Sequence, residues 1–352
     1  YARVVDREIM GIVTDLRKEV NRQLWGSGYG ILARWRTTAS GTSYTLQKAY
    51  RDNSAGGDGF GSTFGAKYLD ENSSGVPVVM GASSSSAFTA FTVDGTNIDV
   101  SAISESSTYD TITCTDPSVT EAAGTFYVRP ASLASVSGSS AAGAARLEMM
   151  GLRGIVTDED LDEIAIFDDA PGSGNHGLTV NDPLQSLAVA SYSWWKAQVD
   201  KHSSGRYLGQ RNLTLTLMQK MFDKVEEAAG KDYGPDMIIT TRPIRREYLE
   251  LCQADRRTVN SMELDGGWKA LDYNGVPLMV DNDAIDGEMY FLTLKDLQLY
   301  RMSDYDWMNK DGAILSRISG YDAYEAILFR YAELGCNRRN TQGVLCDLSY
   351  TD

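Results

Sequence analysis

Two histidines, His176 and His202, and four cysteines, Cys114, Cys252, Cys336 and Cys346, are the whole supply of side chains that most often bind transition metals or act as nucleophiles near neutral pH. That supply excludes a His-rich metal centre. No cysteine pair has the C-x-x-C spacing of a zinc knuckle or redox centre, and Cys336 and Cys346 are too far apart in sequence for either. The expectation is four reduced thiols placed in cores and loops. A Ser-His-Asp or Cys-His arrangement would have to use His176, in Gly174-Asn175-His176-Gly177, or His202, in Lys201-His202-Ser203-Ser204. Both read as solvated loop residues.

Phosphate chemistry is no better supported. Gly26, Gly28 and Gly30 form a G-x-G-x-G run, but it closes a helical pattern, whereas a phosphate-cradling loop follows a strand and opens a helix. Gly230-Lys231 is followed by Asp232, so there is no P-loop, and no G-x-S-x-G nucleophile elbow exists. Asp158-Glu159-Asp160-Leu161-Asp162-Glu163 and Asp168-Asp169 lack the spacing of a calcium loop and read as a solvated charged face. No acid pair for glycoside hydrolysis can be picked from 48 Asp and Glu without geometry. The remaining candidates are cationic and aromatic. Arg242, Arg245 and Arg246, Arg256 and Arg257, and Arg338 and Arg339 form three clusters without interleaved aromatics. Bidentate pairing with carboxylates of a neighbouring subunit, pairing within the chain, and phosphate contact are all open to them. Trp194 and Trp195, read as adjacent on a helix, would point about 100° apart, one into a core and one to an interface. Taken together, these residues predict no enzyme, no metal and no cofactor.

The elements that must position these residues follow from pattern. Over residues 4–25, Val5, Ile9, Ile12, Leu16, Val20 and Leu24 recur at steps of three and four, the stripe of an amphipathic helix. Gly11 weakens its middle, so the helix needs a packing partner. Residues 37–145 are rich in Ser, Thr, Gly and Ala, with strand-like runs at 43–46, 76–80, 87–93, 97–100, 111–115 and 125–128, a pattern that predicts a small sandwich or barrel. The small-residue stretch 131–145 reads as its exit linker. Beyond it, Asn181-Asp182-Pro183 predicts a helix running through Trp194-Trp195 to about Val199. Thr216 is expected to cap a helix over 217–229, with Met218, Met221, Phe222 and Val225 inward and Gly230 as its stop. A buried strand over 237–240, a helix over 243–254 and an Asn274-Gly275 hairpin turn follow. Strands are then expected at 289–292, 297–301, 314–318, 324–333 and 344–348.

The chain has 352 residues, enough for two or three domains, and a net charge of −15. Such a balance argues against a protein whose main task is gripping nucleic acid through many phosphate contacts. No run of 18 apolar residues is long enough to span a membrane.

Several patches, in order, resemble the major capsid proteins of tailed bacteriophages. They are the helix end and loop over 20–33 (Val20-Asn21-Arg22-Gln23-Leu24-Trp25-Gly26), Met149-Met150-Gly151-Leu152-Arg153-Gly154-Ile155-Val156, Trp194-Trp195-Lys196-Ala197, and Leu217-Met218-Gln219. The series continues with Gly266-Gly267-Trp268 through Asn274-Gly275-Val276-Pro277-Leu278, then Tyr331-Ala332-Glu333-Leu334 and Asn337-Arg338-Arg339-Asn340. The resemblance implies the Hong-Kong-type capsid fold, shared with encapsulins. This is an α+β chain with a peripheral domain (long spine helix, elongated antiparallel sheet), an axial domain, and here an inserted small β domain. It places the spine-helix region at 1–36, the insertion at 37–145, a return segment at 146–182, mainly axial domain at 183–318 and peripheral sheet at 319–352.

The family also implies a homo-oligomer of pentamers and hexamers closing an icosahedral shell, with portal, scaffold and decoration proteins as partners. Such a shell encloses DNA without sequence-specific binding, is assembled in the host cytoplasm and is found in the virion. An N-terminal arm and extended loop are expected upstream of Tyr1. Two other readings stand beside this one: an encapsulin-like compartment shell, and a secreted carbohydrate-binding or carbohydrate-active β protein built on 37–145.

Overall fold

The computed structural model describes residues 2–26, 28, 30, 32–34, 43–47, 65–69, 77–83, 91–106, 109–114, 126–130, 148–158, 184–203, 210–230, 234–254, 261–264, 268–309, 312, 314–318, 320 and 324–350. It is mixed α+β. Helix α1 spans Ala2–Leu24, close to the expected limits. Its apolar stripe is covered toward its C-terminal end. Val20 and Leu24 are half-buried against the body, while Ile9, Met10, Ile12 and Val13 are exposed. The helix stops where Trp25 and Gly26 donate N–H bonds to the carbonyls of Arg22 and Gln23, and Gly28 and Gly30 then take positive φ.

The Ser/Thr-rich region contributes strands β1 (Ala33–Arg34), β2 (Ser43–Gln47), β3 (Pro77–Ser83), β4 (Phe91–Glu105), β5 (Tyr109–Cys114) and β6 (Phe126–Pro130). They form one sheet in the order β1-β6-β3-β4-β5-β2, antiparallel throughout. The two runs expected at 87–93 and 97–100 are a single fifteen-residue strand, β4. Its first half pairs with β3 and its second half with β5. Edge strands β1 and β2 touch, so the sheet curls on itself, around a core that includes Leu32, Tyr44, Leu46, Leu69, Val100 and Ile112. The linker expected at 131–145 lies outside the described residues.

The second sheet comprises β7 (Gln198–Asp200), β8 (Met237–Thr240), β9 (Ser261–Leu264), β10 (Trp268–Tyr273), β11 (Val276–Val280), β12 (Met289–Leu292) and β17 (Gly343–Leu345), in the order β7-β17-β12-β8-β11-β10-β9. All four residues of β12 are buried, as befits a central strand covered on both faces. Successive side chains of a strand point to opposite faces. Met289 and Phe291 accordingly join the core under α3 (Leu215–Ala229) and α4 (Arg242–Ala254), with Met218, Met221, Ile244 and Tyr248. Tyr290 and Leu292 join the opposite core with Trp25, Ile155, Val156 and Trp195. The Asn274-Gly275 turn has φ of 51° and 78°, the left-handed pair that a two-residue hairpin requires. Short helix α2 (Leu152–Ile155) lies in the return segment.

Two helical expectations need correction. Residues 184–199 do not form a helix. Single 3₁₀ turns occupy Leu184–Ser186 and Ser193–Trp195, and β7 follows. Gln185 and Ser186 have positive φ, and Gln198, Val199 and Asp200 pair with Gly343, Val344 and Leu345. Sheet pairing therefore overrides the helical signal of Pro183. The cap of α3 is Thr214, whose hydroxyl accepts the Leu217 N–H at 3.1 Å, and not Thr216. Both threonines suit a cap, and the one nearer the preceding bridge at Arg211 is used.

A third feature stands apart from both sheets. Strands β13 (Leu297–Trp307) and β16 (Leu328–Cys336) form a two-stranded antiparallel ribbon, extended by the small pair β14 (Ser316–Arg317) and β15 (Tyr324–Glu325). At about 3.3 Å per residue, β13 is roughly 35 Å long. Segments on both sides of residue 318 share sheets, since β13 pairs with β16 and β12 with β17.

Gly151 holds the return segment against the end of α1. A Cβ there would overlap the carbonyl oxygens of Gln23, Leu24 and Gly26. Gly151→Ala is expected to destabilise the chain by about 2–4 kcal/mol, since the obstacle is backbone that cannot swing aside. Chemical denaturation of the variant beside the parent checks this.

Candidate functional site

Among the described residues the chemistry-bearing side chains do not converge. Among the described residues no group of three or more His, Cys, Asp and Glu could hold a metal ion. His202 is half-buried, and its backbone N–H donates to Asp347 Oδ2 at 2.8 Å. His176, most of the acidic run and Asp168-Asp169 lie outside the described residues. All four cysteines are buried and free. Burial pushes the Cys114 and Cys336 thiols up to about 12, far from a reactive thiolate.

What converges instead is a set of buried charges joining distant segments. Arg339, 0% exposed, lies in the turn Arg339–Thr341. Its Nε donates to Ile155 O at 2.7 Å, and its terminal nitrogens reach Trp195 O and Gly154 O at 3.5 Å, the limit of a hydrogen bond. The inter-subunit contact expected of Arg339 is therefore replaced by an intramolecular one, because its guanidinium has no surface to offer. Arg338 grips both oxygens of Asp296, Oδ1 through Nε at 3.1 Å and Oδ2 through a terminal nitrogen at 2.9 Å, and Thr341 Oγ1 also donates to Oδ2, at 2.8 Å. Asp296 immediately precedes β13 and Arg338 closely follows β16, so this pair clamps the base of the ribbon.

Sequence reading missed two further anchors. Arg22, almost fully buried on α1, pairs with Glu19 and with Glu148 of the return segment. Burial opposes its charge, but those carboxylates outweigh it and raise its pKa. Asp200, at the end of β7, accepts from Arg211 at 2.8 Å and forms ion pairs with Lys220 at 2.9 Å and Lys224 at 3.9 Å. Burial pushes its carboxyl up, yet the bonds from Lys220 and Arg211 and the charges of Arg211 and Lys224 hold it below the ordinary range. Only the alternation around Arg211 and Lys220, on either side of a helix cap, could have hinted at this in the sequence.

The exposed candidates are Arg242, Arg246 and Trp194, with Arg245 half-buried. Arg256 and Arg257 lie outside the described residues. Trp195 is 2% exposed and Trp194 58%, their rings edge to face at 5.8 Å. One tryptophan thus enters the core and one faces solvent, although from a 3₁₀ turn. Apolar side chains also stand exposed on the projections: Ile9, Met10 and Ile12 on α1, and Tyr300, Met302 (93%) and Tyr331 on the ribbon.

No protein-family model and no curated protein matches the chain. Among solved structures it is similar to the holo-SrpI encapsulin complex from Synechococcus elongatus, at 15% identity and TM-score 0.31, over 44% of this chain and 55% of that one. It is also similar to the cyanophage A-1(L) capsid asymmetric unit, at 16% identity and TM-score 0.39, over 60% of this chain and 63% of that one. Both neighbours have the Hong-Kong-type capsid fold. The chain thus spans less than two thirds of either neighbour's length.

Two outcomes are expected of the anchors. Arg339→Met keeps the stem but strips the donors from buried carbonyls, and should destabilise by about 2–4 kcal/mol in urea unfolding. Burial raises the carboxyls of Asp200 and Asp283, but Lys220 and Arg211, and Lys67 and Asn21 respectively, hold both below the ordinary carboxylate range in the folded chain. Their stabilisation is complete above the unfolded value and is lost as pH falls through the lowered folded values. The urea midpoint should accordingly fall below about pH 4, and Asp200→Asn should flatten that fall.

Proposed function

We propose that the chain is a structural, non-enzymatic shell subunit, the major capsid protein of a tailed double-stranded DNA bacteriophage. In this reading copies associate into pentamers and hexamers of an icosahedral shell around the genome. One observation carries it: the molecule is finished at its centre and unfinished at its projections. The seven-stranded sheet has apolar cores on both faces. By contrast, α1 and the β13–β16 ribbon leave the body with apolar side chains in solvent. A two-stranded ribbon alone is marginal in water, and among the described residues no strand pairs with its outer edges. Exposed apolar surface on elongated elements marks an interaction site, and several such elements per subunit suit a lattice.

In this assignment α1 is the spine helix and, with the ribbon, belongs to the peripheral domain. The seven-stranded sheet with α3 and α4 is the axial domain, and the curled six-stranded sheet is an insertion facing outward. Trp194, Arg242, Arg245 and Arg246 are retained as inter-subunit contacts, as are Arg256 and Arg257. A net charge of −15 keeps the wall from adhering to the DNA it encloses. Portal, scaffold and decoration proteins are the further partners of such a subunit, and the virion its place.

Size-exclusion chromatography with light scattering, then electron microscopy of the peak, should show rings or closed shells. A monomer at every concentration overturns the reading. Met302→Asp, on the ribbon, is expected to leave the unfolding midpoint of the subunit within about 0.5 kcal/mol of the parent, as for other exposed sites. It should also raise the concentration needed for assembly by about tenfold, since a charge would enter a desolvated contact.

A further inference from the structure

A cleft of about 950 Å³ opens between α1, the 65–69 turn, the N-terminus of α4 and the loop after β11. Its charged lining is Lys18, Lys67, Arg242, Arg245, Asp281 and Asp283. The anions are already satisfied. Asp283 pairs with Lys67 at 2.7 Å and accepts from Asn21 at 2.6 Å. Asp281 accepts from Asn21 at 3.2 Å and from the Asp283 N–H at 2.7 Å. Three cations are left over. Among the described residues Lys18, Arg242 and Arg245 have no carboxylate partner, and Arg245 Nε is buried without a hydrogen bond.

The position of these cations is unfavourable for the isolated chain. Arg242 and Arg245 sit in the first turn of α4, a thirteen-residue helix whose N-terminal N–H groups already carry positive potential. Positive charge placed on a helix N-terminus, with a donor buried and empty-handed, is an arrangement completed by an incoming oxyanion.

We infer that this cleft receives carboxylates from a second copy of the chain, supplied by the acidic run at 158–163. The inference rests on the shell reading and names a contact within it. The run carries five carboxylates in six positions, Asp158, Glu159, Asp160, Asp162 and Glu163, and every copy brings one run for every cleft. A nucleic-acid backbone fits less well. The cleft wall includes two aspartates that repel a continuous phosphodiester. The one aromatic among its described lining, Tyr68, already carries the Lys67 ammonium over its ring at 5.6 Å, and the chain as a whole repels polyanions.

The test uses assembled particles from a mixture of ¹⁴N- and ¹⁵N-labelled chains, treated with a zero-length carbodiimide that joins amines to carboxylates. Crosslinks between Lys18 and the 158–163 run are expected in mixed-label form. Their absence, or crosslinks confined to same-label pairs, overturns the assignment. Lys18→Glu with Arg242→Glu should raise the concentration for half-assembly about tenfold, and Asp160→Lys with Asp162→Lys should restore it. Both substituted residues are exposed, and Glu at the α4 N-terminus favours the helix dipole, so the thermal midpoint of the subunit should not fall. Unchanged assembly in the charge-reversed variant overturns the site alone, and so does normal assembly with reduced DNA retention, which would indicate a phosphate contact. Failure of the parent chain to assemble overturns the shell reading and the site with it.

Discussion

A buried guanidinium must find dipoles or carboxylates inside the protein, and the turn that carries Arg338 and Arg339 organises the chain around that requirement. Arg339 takes carbonyls from the return segment and from the tryptophan turn, segments more than 140 residues away. Arg338 takes Asp296 at the root of the ribbon. The same turn leads directly into β17, which brings β7 and β12 together in the sheet. Four pieces of chain meet there, and a projection can be long only because its root is held.

Around that turn the molecule divides by how its surfaces are satisfied. Alternation along β12 and β17 sends side chains into two cores, so the central sheet is complete within one chain. Gly343 leaves room for Met221 and Val225 of α3 to lie directly on β17. Ile9, Met10, Ile12 and Val13 of α1 and the outer length of the ribbon have no such cover. Charge follows the same division. The carboxylates beside Arg22, Arg211 and Arg338 are matched inside the body, whereas the cations at the start of α4 face an open cleft.

How much of this was legible in the sequence depended on whether the signal was local. The Asn-Gly turn, the inward residues of α3 and the length of α1 follow from neighbours three or four positions away, and they appeared as expected. The capping threonine of α3 was misplaced by two residues because Thr214 and Thr216 are chemically equal, and only the preceding bridge to Leu348 distinguishes them. The pattern from Pro183 to Val199 predicts a helix that does not form over the described residues, because the strand partners of 198–200 lie at 343–345, beyond the reach of any local pattern. Among the candidate contacts, Arg339 read as a surface cation since charge normally implies exposure. Its burial depends on carbonyls that no spacing rule connects to it.

The amino-acid sequence by itself determined the class of the molecule: an acidic α+β chain with few metal-binding or nucleophilic side chains, a long amphipathic helix and a Ser/Thr-rich β region. Those properties depend on composition and on periods of two and 3.6 residues, which are short-range. Tertiary structure alone decided which faces are finished and which are left open. It buried Trp195 and exposed Trp194, sank Arg339, and left Lys18, Arg242 and Arg245 in one cleft without a carboxylate partner among the described residues. Such outcomes depend on contacts between residues far apart in sequence, where a charge or an apolar side chain has the same appearance whether a partner waits inside the fold or outside it.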